Sequence, residues 1–216
     1  MKKVLALVMA LMLVLSLVAC GGGGKTKEEM LSEAKKLCIN TLFDEIDNNT
    51  ERAKSDYENG TYLIWGQVYD IKGDHCVIST SYCSTICSLN VFLPKDELLK
   101  LNKDEAIQIV GKITKISNAL FKVNIDVKNA YFVTDEYEIK NANVDDITYS
   151  RITMEYECRI DDENFQAITI STGKITNAQR NKNNGHNFKV SASGKMKYDS
   201  NKGIMMDDSN FTISEK

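Results

Sequence analysis

The sequence predicts a mainly β protein that has a helical N-terminal region, a five-stranded barrel and then a second, smaller all-β module. Apolar residues recur at helical spacing only as far as residue 57. From Thr61 onward they alternate with polar residues at a period of two, which is typical of strands. Asn-, Asp- and Gly-rich clusters separate the later apolar stretches, as the turns of a small β module would.

The first residues predict export and a lipid anchor. Lys2 and Lys3 precede an apolar run from 4 to 17, which is shorter than the roughly 20 residues of a membrane-spanning helix. Leu17-Val18-Ala19-Cys20 then precedes four glycines and resembles the lipobox of bacterial lipoproteins. The resemblance implies that residues 1–19 are a signal peptide and that Cys20 carries a two-chain lipid of the palmitate type. Two acyl chains anchor a protein stably.

We therefore expect a cell membrane protein that is lipid-anchored on the extracytoplasmic face, with residues 20–27 as a flexible tether. An uncleaved N-terminal anchor and an ordinary secretory signal are the alternatives.

The middle of the chain has the element order of an OB-fold, a Greek-key barrel of three strands, a short helix and two strands. An amphipathic helix over 28–47 and a short helix over 51–57 come first. The predicted barrel strands are 61–69, 75–80, 87–93, 106–116 and 120–133, and the predicted barrel helix is 95–101.

Residues 28–134 resemble the bacterial tRNA-anticodon-like OB-fold family of exported lipoproteins. The matching positions are Asn49, Ala53, Tyr57, Gly60-Thr61-Tyr62, Gly66-Gln67-Val68, Ile71, Leu98, Leu101, Val110-Gly111-Lys112-Ile113 and Asn129-Ala130. The resemblance implies the fold and no particular activity. The cysteine-containing stretch between the second and third strands departs from the family pattern. Gly66 and Gly111 are interpreted as structural, since glycine inside a strand marks a bend or a close backbone approach.

The C-terminal part is predicted to contain a connector, 135–148, and a second β-rich module, 149–216. Its strands are expected at 149–160, 167–175, 188–198 and 211–213. Two architectures remain open for it. One is a degenerate second OB-fold, because the sequence pattern of the first barrel recurs in Gly194-Lys195-Met196 with Ser209-Asn210-Phe211. Gly173-Lys174-Ile175 with Lys197-Tyr198-Asp199 weakly resembles the FxLYD-type domains of exported proteins.

His75, Cys76, Cys83 and Cys87 are the main candidates for metal or thiol chemistry. Their spacing lacks the close ligand pairs of a zinc site, so we expect no metal and no cofactor. A hairpin turn near residue 81 would bring Cys76 opposite Cys87, either as a disulfide or as neighbouring thiols. Adjacent strand residues point to opposite faces, so His75 and Cys76 are poorly placed as a catalytic pair. His75 with Cys83 or Cys87 keeps open a thiol- or metal-dependent enzyme. We predict that the protein is not an enzyme.

The net charge and two acidic clusters indicate which partners the protein can bind. The formal net charge is −3, and Lys2 and Lys3 fall within the signal, so the mature chain is more acidic still. Because nucleic-acid binding depends on basic residues, this balance predicts no nucleic-acid partner. The acidic clusters 161–163 and 207–208 lack the spacing of a calcium loop and are interpreted as solvated turns.

A surface of the first barrel strand is the candidate ligand site. If Ile64, Gly66 and Val68 face inward, then Trp65, Gln67 and Tyr69 face outward and form a platform for a sugar or a peptide. In the alternative, Trp65 packs under the N-terminal helix or against the second module. The sequence thus predicts a non-enzymatic binding or interaction module whose partner is a surface glycan or an envelope protein. The alternative function is that of a structural or accessory subunit of an envelope assembly.

Overall fold

The computed structural model describes residues 24–79, 87–119, 122–151, 154–165, 167–172, 175–176, 187–199, 202–206 and 210–215. Cys20, Cys83, His186 and the 207–208 cluster lie outside these residues. Within the described ranges, no helix is both long and apolar enough to cross a membrane.

The chain is mainly β, as predicted, and most of its helical residues precede the first long strand. The helices are α1 (Lys27–Glu33), α2 (Ile39–Asn48), α3 (Thr50–Tyr57) and α4 (Lys95–Leu98). The strands are β1 (Lys35–Leu37), β2 (Thr61–Ile71), β3 (Cys76–Ser79), β4 (Cys87–Val91), β5 (Ala106–Ala119), β6 (Lys122–Thr134), β7 (Glu136–Asn143), β8 (Asp146–Ser150), β9 (Glu155–Ile160), β10 (Ile168–Thr172), β11 (Phe188–Asp199), β12 (Gly203–Met206) and β13 (Asn210–Glu215).

Strands β2, β3, β4, β6 and β5 pair in that order, and β5 pairs again with β2 to close a five-stranded barrel. The β4–β6 pair is parallel, and the other neighbours around the barrel are antiparallel. The barrel can close around one apolar core because buried and exposed side chains alternate along its strands. In β6, Val123, Ile125 and Val127 are buried, and the residues between them are partly exposed. The predicted barrel, with its helix between the third and fourth strands, is confirmed.

The N-terminal region differs from the single helix predicted over 28–47. Ala34 adopts an extended backbone and ends α1, and β1 then pairs in parallel with the start of β2 before α2 begins. The pairing of Lys35 with Tyr62 and of Leu37 with Ile64 supplies backbone hydrogen bonds that a continuous helix would forgo. A periodic apolar pattern alone does not reveal such a break.

The predicted tether, 20–27, is also longer than the structure allows. Thr26 caps α1, because its hydroxyl accepts from the backbone N–H of Glu29 while the Glu29 carboxylate accepts from the backbone N–H of Thr26. Lys25 is held as well, since its carbonyl accepts from the Tyr131 hydroxyl at 3.0 Å. Contacts to the folded domain therefore hold the chain from residue 25 onward.

The second module is built on β11, with β7 along one edge. Strand β13 pairs with the first half of β11 on its other edge and β12 with the second half, and β10, β9 and β8 then follow β12 in order. The expected 149–160 strand is instead a hairpin of β8 and β9, in which Ile147 pairs with Cys158.

Residues 136–143, expected as part of a polar connector, form β7. Tyr137 and Ile139 are buried while Glu136, Glu138 and Lys140 are exposed. The segment therefore has the one-sided alternation of a strand, and its high content of charged residues concealed this pattern.

Each module has its own apolar core, and Trp65 joins the two. Trp65 belongs to β2 of the barrel, yet its ring packs in the core of the second module. Its centroid lies 4.8 Å from that of Tyr137 and 6.4 Å from that of Phe165. Backbone pairing adds to this contact, because the Tyr198 N–H donates to the Asp104 carbonyl at 2.7 Å. The exposed ion pair between Lys36 and Glu163 also crosses between the modules.

Gly66 is required by the close approach of α2 and β3 to β2. A Cβ at this position would lie 2.1 Å from Ile78 Cγ2 and 2.8 Å from Ile39 Cδ1. We expect Gly66→Ala to lower the free energy of unfolding by about 1–3 kcal/mol through overpacking. Urea unfolding followed by circular dichroism measures this change. Gly73→Ala is the matched control, because a Cβ there meets nothing within 4 Å. Equal stability of the two variants would contradict the assignment.

Candidate functional site

The barrel surface over β4 and β6 carries a row of polar side chains that includes one carboxylate. Ser88 and Asn90 of β4 alternate with buried residues and so face outward. The Ser88 hydroxyl donates to the Asn124 side-chain oxygen at 3.1 Å, and the Asn90 amide donates to the Asp126 carboxylate at 3.0 Å. These hydrogen-bonded pairs follow from the parallel register, which places Ser88 beside Asn124 and Asn90 beside Asp126. The result is a row of fixed hydrogen-bonding groups across two strands.

This row forms part of a groove of about 490 Å³, which we call the ligand groove. The groove runs from the end of β2, over β3 and β4, to the start of β6. Val77 and Cys87 are buried in its floor. Its other lining residues are Tyr69, Asp70, Lys72, His75, Ser88, Asn90, Lys122 and Asn124. In OB-folds this face, with its flanking loops, is the one that binds oligonucleotides and oligosaccharides.

Cationic and aromatic groups border the ligand groove. Lys72 follows β2 and Lys122 begins β6, so the two lysines approach the groove from different strand ends. Among the described residues, neither lysine forms an ion pair. Tyr69 is 42% exposed, and the Lys103 ammonium lies 5.7 Å from its ring centroid. A ligand with negative charge and a flat face would find complementary groups here.

His75 is held in place at one end of the groove. Its Nδ1 lies 2.7 Å from an Asp74 carboxylate oxygen, and its ring packs 5.1 Å from that of Phe92. The contact with His75 lowers the pKa of the Asp74 carboxyl below its usual range. The imidazole therefore has a fixed orientation beside the groove, with an anionic partner.

The predicted platform of Trp65, Gln67 and Tyr69 is corrected by the structure. Alternation does place all three outside the barrel, but the second module covers Trp65, which is 8% exposed. Gln67 is 3% exposed and donates to the Asp104 carboxylate at 3.3 Å. Only Tyr69 reaches the ligand groove. No sequence signal pointed to Ser88, Asn90 or Asn124, because short polar residues on strands are common and the β4–β6 register brings these three together.

The predicted pairing of Cys76 with Cys87 is also corrected. In the β3–β4 register Cys76 lies opposite Val91, so the two cysteines do not face each other. Cys76 is a free thiol whose Sγ donates to the Val91 carbonyl at 3.8 Å. The side chain of Cys76 lies in the barrel core, whereas His75 lines the groove, so these neighbours do not form a catalytic pair. Within the described residues, no group of three or more His, Cys, Asp or Glu could hold a metal ion.

Comparisons with known proteins do not assign the chain to a family. No known protein family matches the sequence, and no curated protein matches it. What the structure shows is a mainly β chain with a closed five-stranded barrel and a second β module.

The solved structures that resemble this chain have low sequence identity to it. A candidate nucleic acid-binding lipoprotein from Klebsiella pneumoniae is 14% identical, with a TM-score of 0.40, and the match covers 51% of this chain and 100% of that one. The Ifi202 HINa domain, in complex with 20-bp double-stranded DNA, is also 14% identical, with a TM-score of 0.26 and coverage of 74% and 97%.

The expectation that nucleic acid is excluded as a partner is therefore wrong. The similar structures include a DNA complex and a lipoprotein named for nucleic-acid binding. The net charge of the whole chain was a poor guide, because it averages over surfaces that a ligand never touches. The groove itself has Lys72 and Lys122 in its lining together with Asp70, while the carboxylates of Asp74 and Asp126 beside it are hydrogen-bonded to the lining residues His75 and Asn90.

Proposed function

We propose that this chain is an envelope lipoprotein that binds an extended, polar, anionic ligand in the ligand groove and performs no chemistry on it. Anchoring by Cys20 on the extracytoplasmic face rests on the lipobox resemblance. Binding at the barrel rests on the groove. The resemblance to tRNA-anticodon-like OB-fold lipoproteins agrees with both parts of the proposal.

The observation that carries the ligand class is the pair of lysines at separate ends of one continuous polar groove. A ligand that reaches both Lys72 and Lys122 must cross β3 and β4, so it is elongated. Ser88, Asn90 and Asn124 lie between the two lysines and supply neutral hydrogen-bonding groups for its repeating polar units. Tyr69 offers an exposed ring for stacking. Such groups suit a polymer with phosphate or carboxylate groups and flat rings.

A binding role is favoured over the alternative of a thiol-dependent enzyme by the environment of the cysteines. Burial raises the pKa of Cys76 to about 12, which opposes thiolate formation. Cys87 is only 3% exposed in the groove floor. The accessible groups of the groove are instead amides, hydroxyls and lysines, which hold a ligand.

The double variant Lys72→Glu/Lys122→Glu tests the proposal. Calorimetric titrations with a single-stranded oligonucleotide and with an acidic oligosaccharide are compared in the wild type and the variant. We expect at least one probe to bind the wild type, with affinity that falls as salt rises. We expect at least a tenfold loss of affinity in the variant, because two attractions become repulsions.

The matched control carries the same charge change away from the groove, in Lys54→Glu/Lys140→Glu. Both of these lysines form exposed ion pairs, with Glu51 and Glu138. We expect the control to keep its affinity within about threefold, since exposed pairs contribute little. Equal losses in both double variants, or failure of both probes to bind the wild type, would overturn the proposed ligand class.

A further inference from the structure

The short chain segment between Cys20 and Lys25 restricts how the barrel can be oriented on a membrane. Lys25 is fixed to the barrel by the Tyr131 hydroxyl and by an ion pair with Glu33. Only the five virtual Cα–Cα bonds from residue 20 to residue 25 separate the predicted lipid from the folded chain. Fully extended, they span at most about 18 Å. If Cys20 is lipidated, the barrel surface around Lys25 must stay within about that distance of the lipid head groups.

This surface, which we call the tether face, consists of Lys25, Lys112, Lys128, Asn129 and Tyr131. Lys112 and Asn129 line a cavity beside Gly24 and Lys25, and Lys128 and Tyr131 line a second cavity that also contains Asn129. The tether face is thus a continuous surface around Lys25.

The tether face has an unusual pair of like charges. Lys112 of β5 and Lys128 of β6 are register partners on adjacent strands. Like charges at such positions destabilise a sheet unless an anion lies near both. Hydrogen bonds from Lys25 and Thr61 lower the pKa of the Glu33 carboxyl, and the nearby charge of Lys112 acts in the same direction. Because Glu33 also pairs with Lys25, this single carboxylate faces two lysines, and Lys128 adds a further positive charge beside them.

We propose that the tether face rests against the membrane, with Lys112 and Lys128 in contact with the phosphate groups of lipids. The proposal depends on the lipidation included in the proposed function. Lipid phosphates are anions that an anchored barrel meets at high local concentration, and each lysine near an anionic lipid surface contributes about 1 kcal/mol.

The proposal also orients the ligand groove. Lys122, at the groove, and Tyr131, at the tether face, are both on β6 and nine residues apart. At roughly 3.3 Å per residue they are separated by up to about 30 Å. The Lys122 end of the groove is therefore remote from the bilayer. The His75 end lies nearer to it, because the Lys128 ammonium is 5.5 Å from the centroid of the Phe92 ring that packs against His75.

Lysine acylation of the anchored protein tests this orientation. The lipidated full-length protein is reconstituted in vesicles of phosphatidylcholine and phosphatidylglycerol, treated with an acylating reagent and analysed by mass spectrometry. The reference is the same chain with Cys20→Ser, which lacks the lipid. We expect the labelling rates of Lys112 and Lys128 to fall at least fivefold on anchoring. Lys72, Lys122 and Lys140 are internal controls and should label equally in both samples.

The outcomes separate this proposal from the one on which it rests. If the protein fails to float with the vesicles and its residue 20 has no lipid mass, the lipidation itself is wrong, and the orientation falls with it. If the protein floats but Lys112 and Lys128 label as fast as Lys72 and Lys140, the orientation alone is wrong. Insertion of fifteen Gly/Ser residues after Gly24 adds a check, since the longer reach should restore labelling of Lys112 and Lys128.

Discussion

Replacement of Trp65 by Ala is expected to lower the free energy of unfolding by about 3–5 kcal/mol. The Trp65 ring belongs to the barrel but fills the core of the second module, against Tyr137 and Phe165. Its loss leaves a cavity and also exposes the contact between the modules. Tyr137 loses an edge-to-face partner whose centroid lies 4.8 Å away.

The loss of Trp65 should also uncouple the two modules. Tyr137 is fixed by a hydrogen bond to Asp162 and by one from the Asn164 amide at 2.7 Å, so it cannot follow the missing ring. We expect the wild type to unfold in urea in one transition and Trp65→Ala to unfold in two. Circular dichroism follows both proteins, because Trp65 is the single tryptophan and its fluorescence is lost in the variant.

Trp65→Phe and Tyr69→Ala are the controls for this prediction. The first retains part of the packing and should lose less than Trp65→Ala. The second removes an exposed ring from the same strand and should change stability by less than about 0.5 kcal/mol. A loss below about 1 kcal/mol in Trp65→Ala would show that Trp65 does not join the modules.

The second large effect concerns the buried thiols. Burial raises the pKa of Cys76 from 9.0 to about 12, and it also raises the pKa of Cys158 from 9.0 to about 12, with the charge of Asp146 adding to the effect at Cys158. Because only the thiolate reacts with alkylating reagents, a shift of this size lowers the reactive fraction about 1,000-fold at neutral pH. We therefore expect Cys76 and Cys158 to be alkylated about three orders of magnitude more slowly than a small model thiol.

Mass spectrometry of tryptic peptides after timed alkylation measures these rates. Cys38 is only partly buried and is the internal reference, which should react faster than Cys76 or Cys158. In urea all three should react at similar rates. Rapid alkylation of Cys76 in the folded protein would contradict the assigned environment and would revive the thiol-enzyme alternative.

Much of the barrel could be predicted from the sequence because its signals are local. Alternation marked β2, β4, β5 and β6 to within a few residues, and Pro94 marked the helix between β4 and β5. Taken in chain order, these predicted elements match the element order of an OB-fold. Local signals failed where long-range pairing overrode them. Helix α1 ends at Glu33 because β1 finds a partner in β2, and the polar segment of β7 becomes a strand because β11 is available to it.

The sequence by itself determined which residues face into and out of the barrel, since alternation along a strand is a property of the backbone. It also determined the glycines at which strands approach closely. Only the tertiary structure decided what covers the outward face. The second module buries Trp65 and leaves Tyr69 exposed, and the parallel register of β4 and β6 brings Asn90 and Asn124 into one groove. Outward direction is fixed by neighbours along the chain, whereas exposure depends on segments distant in sequence that pack there.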